Sequence, residues 1–181
     1  MISLNSQIQK KVLGYFFLNE TKDIYINALA RLIDSDPKNV YRALLRLEAE
    51  RILQSEFKGK QRYFRAYRDS SVYTAYRSLF MQTAGLEHQL RKALSKVKGL
   101  KEGYFFGSYG TKRFTSESDI DLLLIGEHSV LDAQKVLFVI QKQIGRDINP
   151  VQMTVADFKK QKDQKGSFVN RVFSANPTRI L

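Results

Sequence analysis

Between positions 5 and 18 the chain reads "NSQIQKKVLGYFFL", with Ile8, Val12, Leu13, Phe16 and Phe17 recurring every three or four residues. That spacing predicts an amphipathic helix. The run "DIYIN" that follows is strand-like, and "ALARLI" is helical in pattern. In "DSDPKNVYRALLRLEAERIL", Val40, Leu44 and Leu47 line one face of a further helix. Asp36 suits its N-cap and Pro37 its first turn, where the missing N–H costs nothing. "ILQSEF", the turn "KGK" and "QRYFRAY" alternate apolar and polar residues, which predicts a β-hairpin.

Residues 69–98 carry an apolar stripe of Tyr73, Tyr76, Leu79, Phe80, Leu86, Leu90, Ala93, Leu94 and Val97. The stripe predicts one or two helices, with a possible break at Gly85, that connect the two ends of the chain or seam two subunits. From residue 103 the texture changes. "GYFFGSYG", "SDIDLLLIG", "SVLDAQKVLFVIQKQIG" and "RDINPVQMTV" read as strand, turn, strand, helix and strand. Such a series suits a small mixed sheet with a helix on one face, so the expected class is α+β. Phe168, Val172, Phe173 and Ile180 of the tail are expected to close that core. His88 and His128 stand without companion ligands and are read as solvent-facing.

Composition narrows the chemistry. With 181 residues the chain fits one ordinary domain or two small ones, and 43% hydrophobic content suffices for a packed core. The absence of cysteine excludes disulfides, thiolate zinc sites and cysteine nucleophiles. The opening residues show no apolar signal core, and no segment approaches the ~18 continuous apolar residues of a membrane span. A soluble, cytoplasmic protein with no membrane partner is expected. Lys and Arg number 30 against 18 Asp and Glu, a net of +12, which favours a polyanion such as nucleic acid.

The order helix, short strand, helix, helix, hairpin over residues 1–68 resembles a winged helix-turn-helix domain of small bacterial and archaeal repressors. The resemblance implies a third helix in the major groove of double-stranded DNA and a wing on the phosphate backbone. It places Lys38, Asn39, Tyr41, Arg42 and Arg46 on the outward helix face, and Lys58, Lys60, Arg62 and Arg65 on the wing. This segment holds thirteen basic and seven acidic side chains, a net of +6. It also implies a homodimer, because half-sites on DNA are read by two-fold pairs.

The second feature with chemical content is "GSYGTKRFTSESDID". Residues two apart on a strand share a side, so Asp119 and Asp121 face together while Ile120 and Leu122 face the core. Two such carboxylates repel unless a hard cation lies between them, and Mg²⁺ prefers oxygen ligands. Gly107 and Ser108 follow an apolar strand and are expected to open a helical turn whose free N–H groups hold phosphate oxygens. Metal and phosphate sites together suggest a nucleoside triphosphate.

Gly-Ser, ten residues and Asp-x-Asp resemble the pattern of minimal nucleotidyltransferases in the DNA polymerase beta-like superfamily, over residues 85 to 181. The resemblance implies that Gly107 and Ser108 contact the triphosphate, that Asp119 and Asp121 hold the metal and serve catalysis, and that Lys112 and Arg113 lie near the phosphates. It also implies a third carboxylate on a later strand. In "RDINPVQMTV" the equivalent position holds Asn149, which cannot take a proton, while Asp147 lies two residues earlier as a possible substitute. "GRDINPVQMTVADF" and the tail further resemble proteins that join a winged helix to such a domain, many of them similar to DNA-binding regulators, while some relatives of the catalytic domain serve as antitoxins. The expected organisation is a DNA-binding domain over 1–68, a helical connector over 69–98 and a nucleotidyltransferase-like domain over 99–181. The expected function is a DNA-binding transcriptional regulator whose second domain binds nucleotide and Mg²⁺ or is catalytically degenerate. The alternative is an active enzyme that transfers a nucleoside monophosphate to a protein or small-molecule hydroxyl, with an antitoxin acting on a protein partner as one form of it.

Overall fold

Ser6 starts the first helix by accepting a hydrogen bond from the Gln9 N–H at 3.4 Å. The computed structural model describes residues 6–109, 111, 114–115 and 117–181. The chain divides into two units, Met1–Leu86 with Lys142–Gly145, and Glu87–Gln141 with Arg146–Leu181.

In the first unit, helix α1 spans Gln7–Leu18, strand β1 Ile24–Tyr25, α2 Ile26–Leu32 and α3 Pro37–Ala49. Strands β2 (Leu53–Lys58) and β3 (Gln61–Ala66) form the expected hairpin, and α4 covers Ser71–Thr83. The strand anticipated over "DIYIN" is shorter than its pattern suggested. Only Ile24 and Tyr25 pair with Phe64 and Tyr63 of β3, and Ile26 and Asn27 already belong to α2. The sheet order is β1-β3-β2, antiparallel throughout. Asp36 caps α3 as expected, its Oδ1 accepting from the N–H groups of Lys38 (3.0 Å) and Asn39 (3.1 Å). Val40, Leu44 and Leu47 of α3 are fully buried with Val12, Leu13 and Phe16 of α1, Leu29 of α2 and Phe64 of β3. The polar face of α3 is thereby left outward.

The second unit begins with α5 (Leu86–Leu94), so the expected connector is two helices, divided between the units at Leu86. Gly85 lies at the break, where a Cβ would stand 2.7 Å from the Met81 carbonyl oxygen. Strand β4 (Leu100–Phe106), β5 (Ile120–Gly126), α6 (Val130–Ile144) and β6 (Ile148–Met153) follow in the expected order. Helices α7 (Val155–Asp163) and α8 (Phe168–Ser174) and the two-residue strand β7 (Thr178–Arg179) complete the chain. The mixed sheet runs β6-β5-β4-β7, with β5 and β6 parallel and the other pairs antiparallel. β5 is therefore internal, and Leu122, Leu123, Leu124 and Ile125 are all solvent-free. A near-continuous apolar run is the mark of a strand covered on both faces. Val172 and Ile180 are buried as expected, while Phe168 and Phe173 pack half-exposed against the same core. His128 departs from its expected solvent-facing position: it is half-buried and its Nε2 lies 2.9 Å from Gln152 Oε1.

No helix among the described residues is long and apolar enough to cross a membrane. Because α3 buries one face and presents the other, its two faces should respond differently to truncation. Leu47→Ala, which empties a fully buried site, is expected to cost about 2–5 kcal/mol in urea unfolding. Arg46→Ala, one residue earlier and exposed, should stay within about 0.5 kcal/mol of wild type. Equal losses would contradict this placement of the core.

Candidate functional site

The antiparallel register of β4 and β5 sets Phe106 opposite Asp121, and the parallel register of β5 and β6 sets Asp121 opposite Asn149. Three neighbouring strands thus deliver Gly107, Asp121 and Asn149 to one end of the sheet. Gly107 has φ +72°, and a Cβ on it would stand 2.3 Å from Asp121 Oδ2. The position is closed to side chains twice over, by backbone conformation and by the carboxylate.

Gly107 and Ser108 were expected to open a helical turn, and a hydrogen-bonded turn does follow β4, with no α-helix among the described residues before β5. Gly107 takes the left-handed conformation and turns the chain out of β4. The turn is closed by Thr111, whose N–H and Oγ1 both donate to the Ser108 carbonyl at 3.0 and 2.6 Å. Phosphate oxygens at this edge would meet a tight turn and the Ser108 hydroxyl rather than a helix N-terminus. Lys112 and Arg113 lie outside the described residues.

Asp119 is exposed just ahead of β5, and Asp121 is half-buried within it. The Asp121 carboxyl is held above the usual carboxylate range, first by burial and then by the charge of Asp119. A hydrogen bond from the Asn149 side chain pulls the other way. The same amide reaches both acids, since Asn149 Nδ2 also donates to Asp119 Oδ2 at 3.1 Å. The position of the anticipated third carboxylate is therefore filled by a neutral donor. Asp147, the substitute considered for it, is exposed and does not form a three-acid group with Asp119 and Asp121. Among the described residues no three His, Cys, Asp or Glu side chains gather in a way that could hold a metal ion.

Arg146 was not singled out from the sequence, although it braces the approach to the acids. It is 6% exposed, and its guanidinium lies 5.0 Å over the Phe114 ring. Nη2 donates to the carbonyls of Thr115, at 3.0 Å, and of Ser118, immediately before Asp119. Burial lowers the Arg146 pKa, opposed by the charges of Glu117, Asp119 and Asp147. A lone arginine between a helix and a strand carries no periodic signal, so only the fold reveals this contact.

The basic residues expected to face DNA divide into two groups. Lys38, Tyr41, Arg42 and Arg46 are exposed on α3, with Asn39 Oδ1 accepting from the Arg42 guanidinium. Lys60 and Arg65 are exposed on the hairpin. Lys58 is instead paired with Asp23 and with Glu56 at 3.2 Å. Arg62 is locked between Glu48 Oε2 at 2.6 Å and Ser55 Oγ at 2.8 Å. It joins α3 to β2 and β3 within the first unit.

Residues 87–173 match the family model described as the nucleotidyltransferase domain. The match supports a nucleotidyltransferase domain over these residues, and a nucleotide is the substrate class that such a domain implies. A search of curated proteins gave no match.

The contact between Gly107 and Asp121 has a measurable signature. Gly59 also has positive φ, +61°, with nothing within 4 Å of a Cβ. Gly59→Ala should therefore show the backbone penalty alone, about 1–2 kcal/mol. Gly107→Ala should cost more, and the excess should disappear in an Asp121→Ala background, read as a double-mutant cycle by thermal unfolding. Equal costs at the two glycines would contradict the close approach.

Proposed function

We propose that the chain is a DNA-binding transcriptional regulator whose nucleotidyltransferase domain binds a nucleoside triphosphate with Mg²⁺ and turns it over weakly or not at all. The observation that carries this reading is Asn149, in register with Asp121 and bonded to Asp119 where a third acid was expected.

The donor set at the head of β5 fits a magnesium ion. Two hard carboxylate oxygens share a side, and their mutual repulsion is relieved only in part by the Asn149 amide. Mg²⁺ is commonly held by one or two carboxylates together with substrate phosphates. Asp119 and Asp121 would hold the ion, which when bound supplies charge to offset that of the phosphates. Gly107 leaves room for close approach and Ser108 offers a hydroxyl. In a working transferase a hydroxyl oxygen attacks the α-phosphorus, the bond from that phosphorus to its bridging oxygen breaks, and pyrophosphate leaves. The attacking hydroxyl must lose its proton in that step. An amide cannot accept it, so Asn149 leaves this site without a base at the position where one was expected.

Thermal unfolding with Mg²⁺ and nucleoside triphosphate should show stabilisation of the wild type, and Asp121→Asn should abolish it. Pyrophosphate release should stay at background. Robust nucleotide transfer by the wild type, lost on Asp119→Asn, would overturn the reading and favour the active enzyme.

Support for the DNA half comes from the net +6 of residues 1–68 and the exposed basic face of α3. Arg42 and Arg46 are the residues proposed to read or grip the duplex, with Lys38, Asn39 and Tyr41 beside them and Lys60 on the backbone. The internal pairing of Lys58 and Arg62 gives these two a smaller share. Duplex binding should weaken steeply with salt. Arg42→Ala or Arg46→Ala should cost about 1–3 kcal/mol where the side chain reads a base edge. No mobility shift at low salt with a broad set of duplexes would count against it.

A two-fold dimer is part of the same proposal, with α4 as its seam, where Leu79 is 49% exposed. Light scattering at micromolar concentration should give twice the 20.9 kDa chain mass, and a monomer mass would remove the seam.

A further inference from the structure

A cavity of about 310 Å³ opens beside the Gly107 turn, on the side of β4 that faces β7 and α8. Its volume falls at the lower end of the ~300–1,000 Å³ range of small-molecule sites. Phe105 and Phe106 at the end of β4, Tyr109 in the turn and Phe168 at the start of α8 line it, and Arg171 and Asn176 add polar groups. The rings are held in fixed relations. Phe106 meets Phe168 edge-to-face with centroids 5.4 Å apart, and Phe105 stacks on Tyr109 at 4.1 Å. Arg171 is positioned by donating its Nη1 to the Gly166 carbonyl at 2.7 Å. Asn176 adopts φ +53°, a conformation uncommon for a residue with a side chain.

Gly107 belongs to both places: it lines this cavity, and its Cα stands against Asp121 Oδ2. Among the described residues that line the cavity there is no carboxylate, and Arg171 is the one cation. Such walls suit a planar ring far better than a chain of phosphates, which needs several cations and N–H donors. A nucleotide has a ring at one end and anionic oxygens at the other, and Gly107 separates an aromatic recess from a pair of metal-seeking acids. We propose that this cavity receives the nucleobase of the bound nucleoside triphosphate, stacked among Phe106, Tyr109 and Phe168, with its phosphates directed past Gly107 and Ser108 towards Asp119 and Asp121. The inference rests on the proposed nucleotide site and adds where the base lies. Asn176, whose side-chain amide can both donate and accept, is placed to meet a base edge.

Blocking the cavity tests it. Ala175 and Thr178 are exposed residues on its lining, from α8's C-terminal cap and from β7, so Ala175→Trp and Thr178→Trp fill it from two sides with little burden on the core. Titration calorimetry on the full chain with Mg²⁺ would compare ATP, GTP, CTP and UTP with inorganic tripolyphosphate, which has no base. The wild type should bind at least one nucleotide about tenfold more tightly than tripolyphosphate. Both variants should bring that nucleotide down to the tripolyphosphate level while leaving tripolyphosphate unchanged. Tripolyphosphate binding with no nucleotide preference in the wild type, or a preference that survives both substitutions, would overturn the base assignment and leave the phosphate and metal site standing. Unchanged nucleotide affinity with loss of any transfer activity would assign the cavity to the acceptor, and would overturn the inference equally. Failure of the wild type to bind either ligand would remove the nucleotide site itself, and the inference with it.

Discussion

The Asp121 carboxylate is pressed against the backbone of Gly107 on one side and held by the Asn149 amide on the other, with Asp119 two residues away. A half-buried carboxylate beside a second one is unfavourable unless something compensates, and one neutral donor shared between two acids compensates only in part. The strands around it supply the rigidity that keeps the arrangement in place. β5 is held between β4 and β6, so Asp121 cannot retreat from its neighbours without breaking the register. Arg146 fixes the loop ahead of Asp119 from below. Stored repulsion of this kind gives a divalent cation a thermodynamic reason to bind. It also explains why the residue facing Asp121 from β4 must be followed by glycine.

The two units use their charge differently. The second keeps Asp119 and Asp121 together at one end of its sheet, with the buried Arg146 bonding the Ser118 carbonyl just ahead of them. In the first, part of the basic surface is consumed internally. Arg62 bonds Glu48 and Ser55, and Lys58 pairs with Asp23 and Glu56, so these cations stabilise the hairpin against α3 and β1. Exposed cations remain on α3 at Lys38, Arg42 and Arg46, away from its buried Val40, Leu44 and Leu47, and on the hairpin at Lys60 and Arg65. A net charge can be counted from composition, but only the fold shows which side chains are already satisfied.

The sequence made some of this legible. Asp36 followed by Pro37 announced the start of α3, because both act within one helical turn. The run "DLLLIG" announced a strand, and the i, i+2 spacing placed the acids together. Asn149 was found through resemblance to the nucleotidyltransferase pattern, and its donation to Asp119 then followed from β5–β6 pairing. Contacts that depend on tertiary register stayed hidden. Arg146 over Phe114, and Glu48 with Arg62 fourteen residues on, have no local signature. Gly107 was read as opening a helical turn because a Gly-Ser after a strand fits that pattern, which leaves its own left-handed conformation unannounced. Its φ of +72° is set by the turn and by Asp121, which no short window reports. "DIYIN" looked like a longer strand because β-branched and aromatic residues dominate it, whereas pairing with β3 ends after two residues.

The central claim is that the repulsion between Asp121 and Asp119, offset only in part by Asn149, is what a divalent cation would relieve. The Asp121 side-chain carboxyl can be followed by NMR across a pH titration of the metal-free full chain, and again in an Asp119→Asn variant. The account predicts that Asp121 titrates above the usual carboxylate range, that removing the Asp119 charge lowers it, and that Mg²⁺ lowers it in the wild type. Protonation relieves the same repulsion, so the metal-free fold should gain stability as pH falls through that raised value. An ordinary titration of Asp121, unmoved by Mg²⁺ and by Asp119→Asn, would contradict the account.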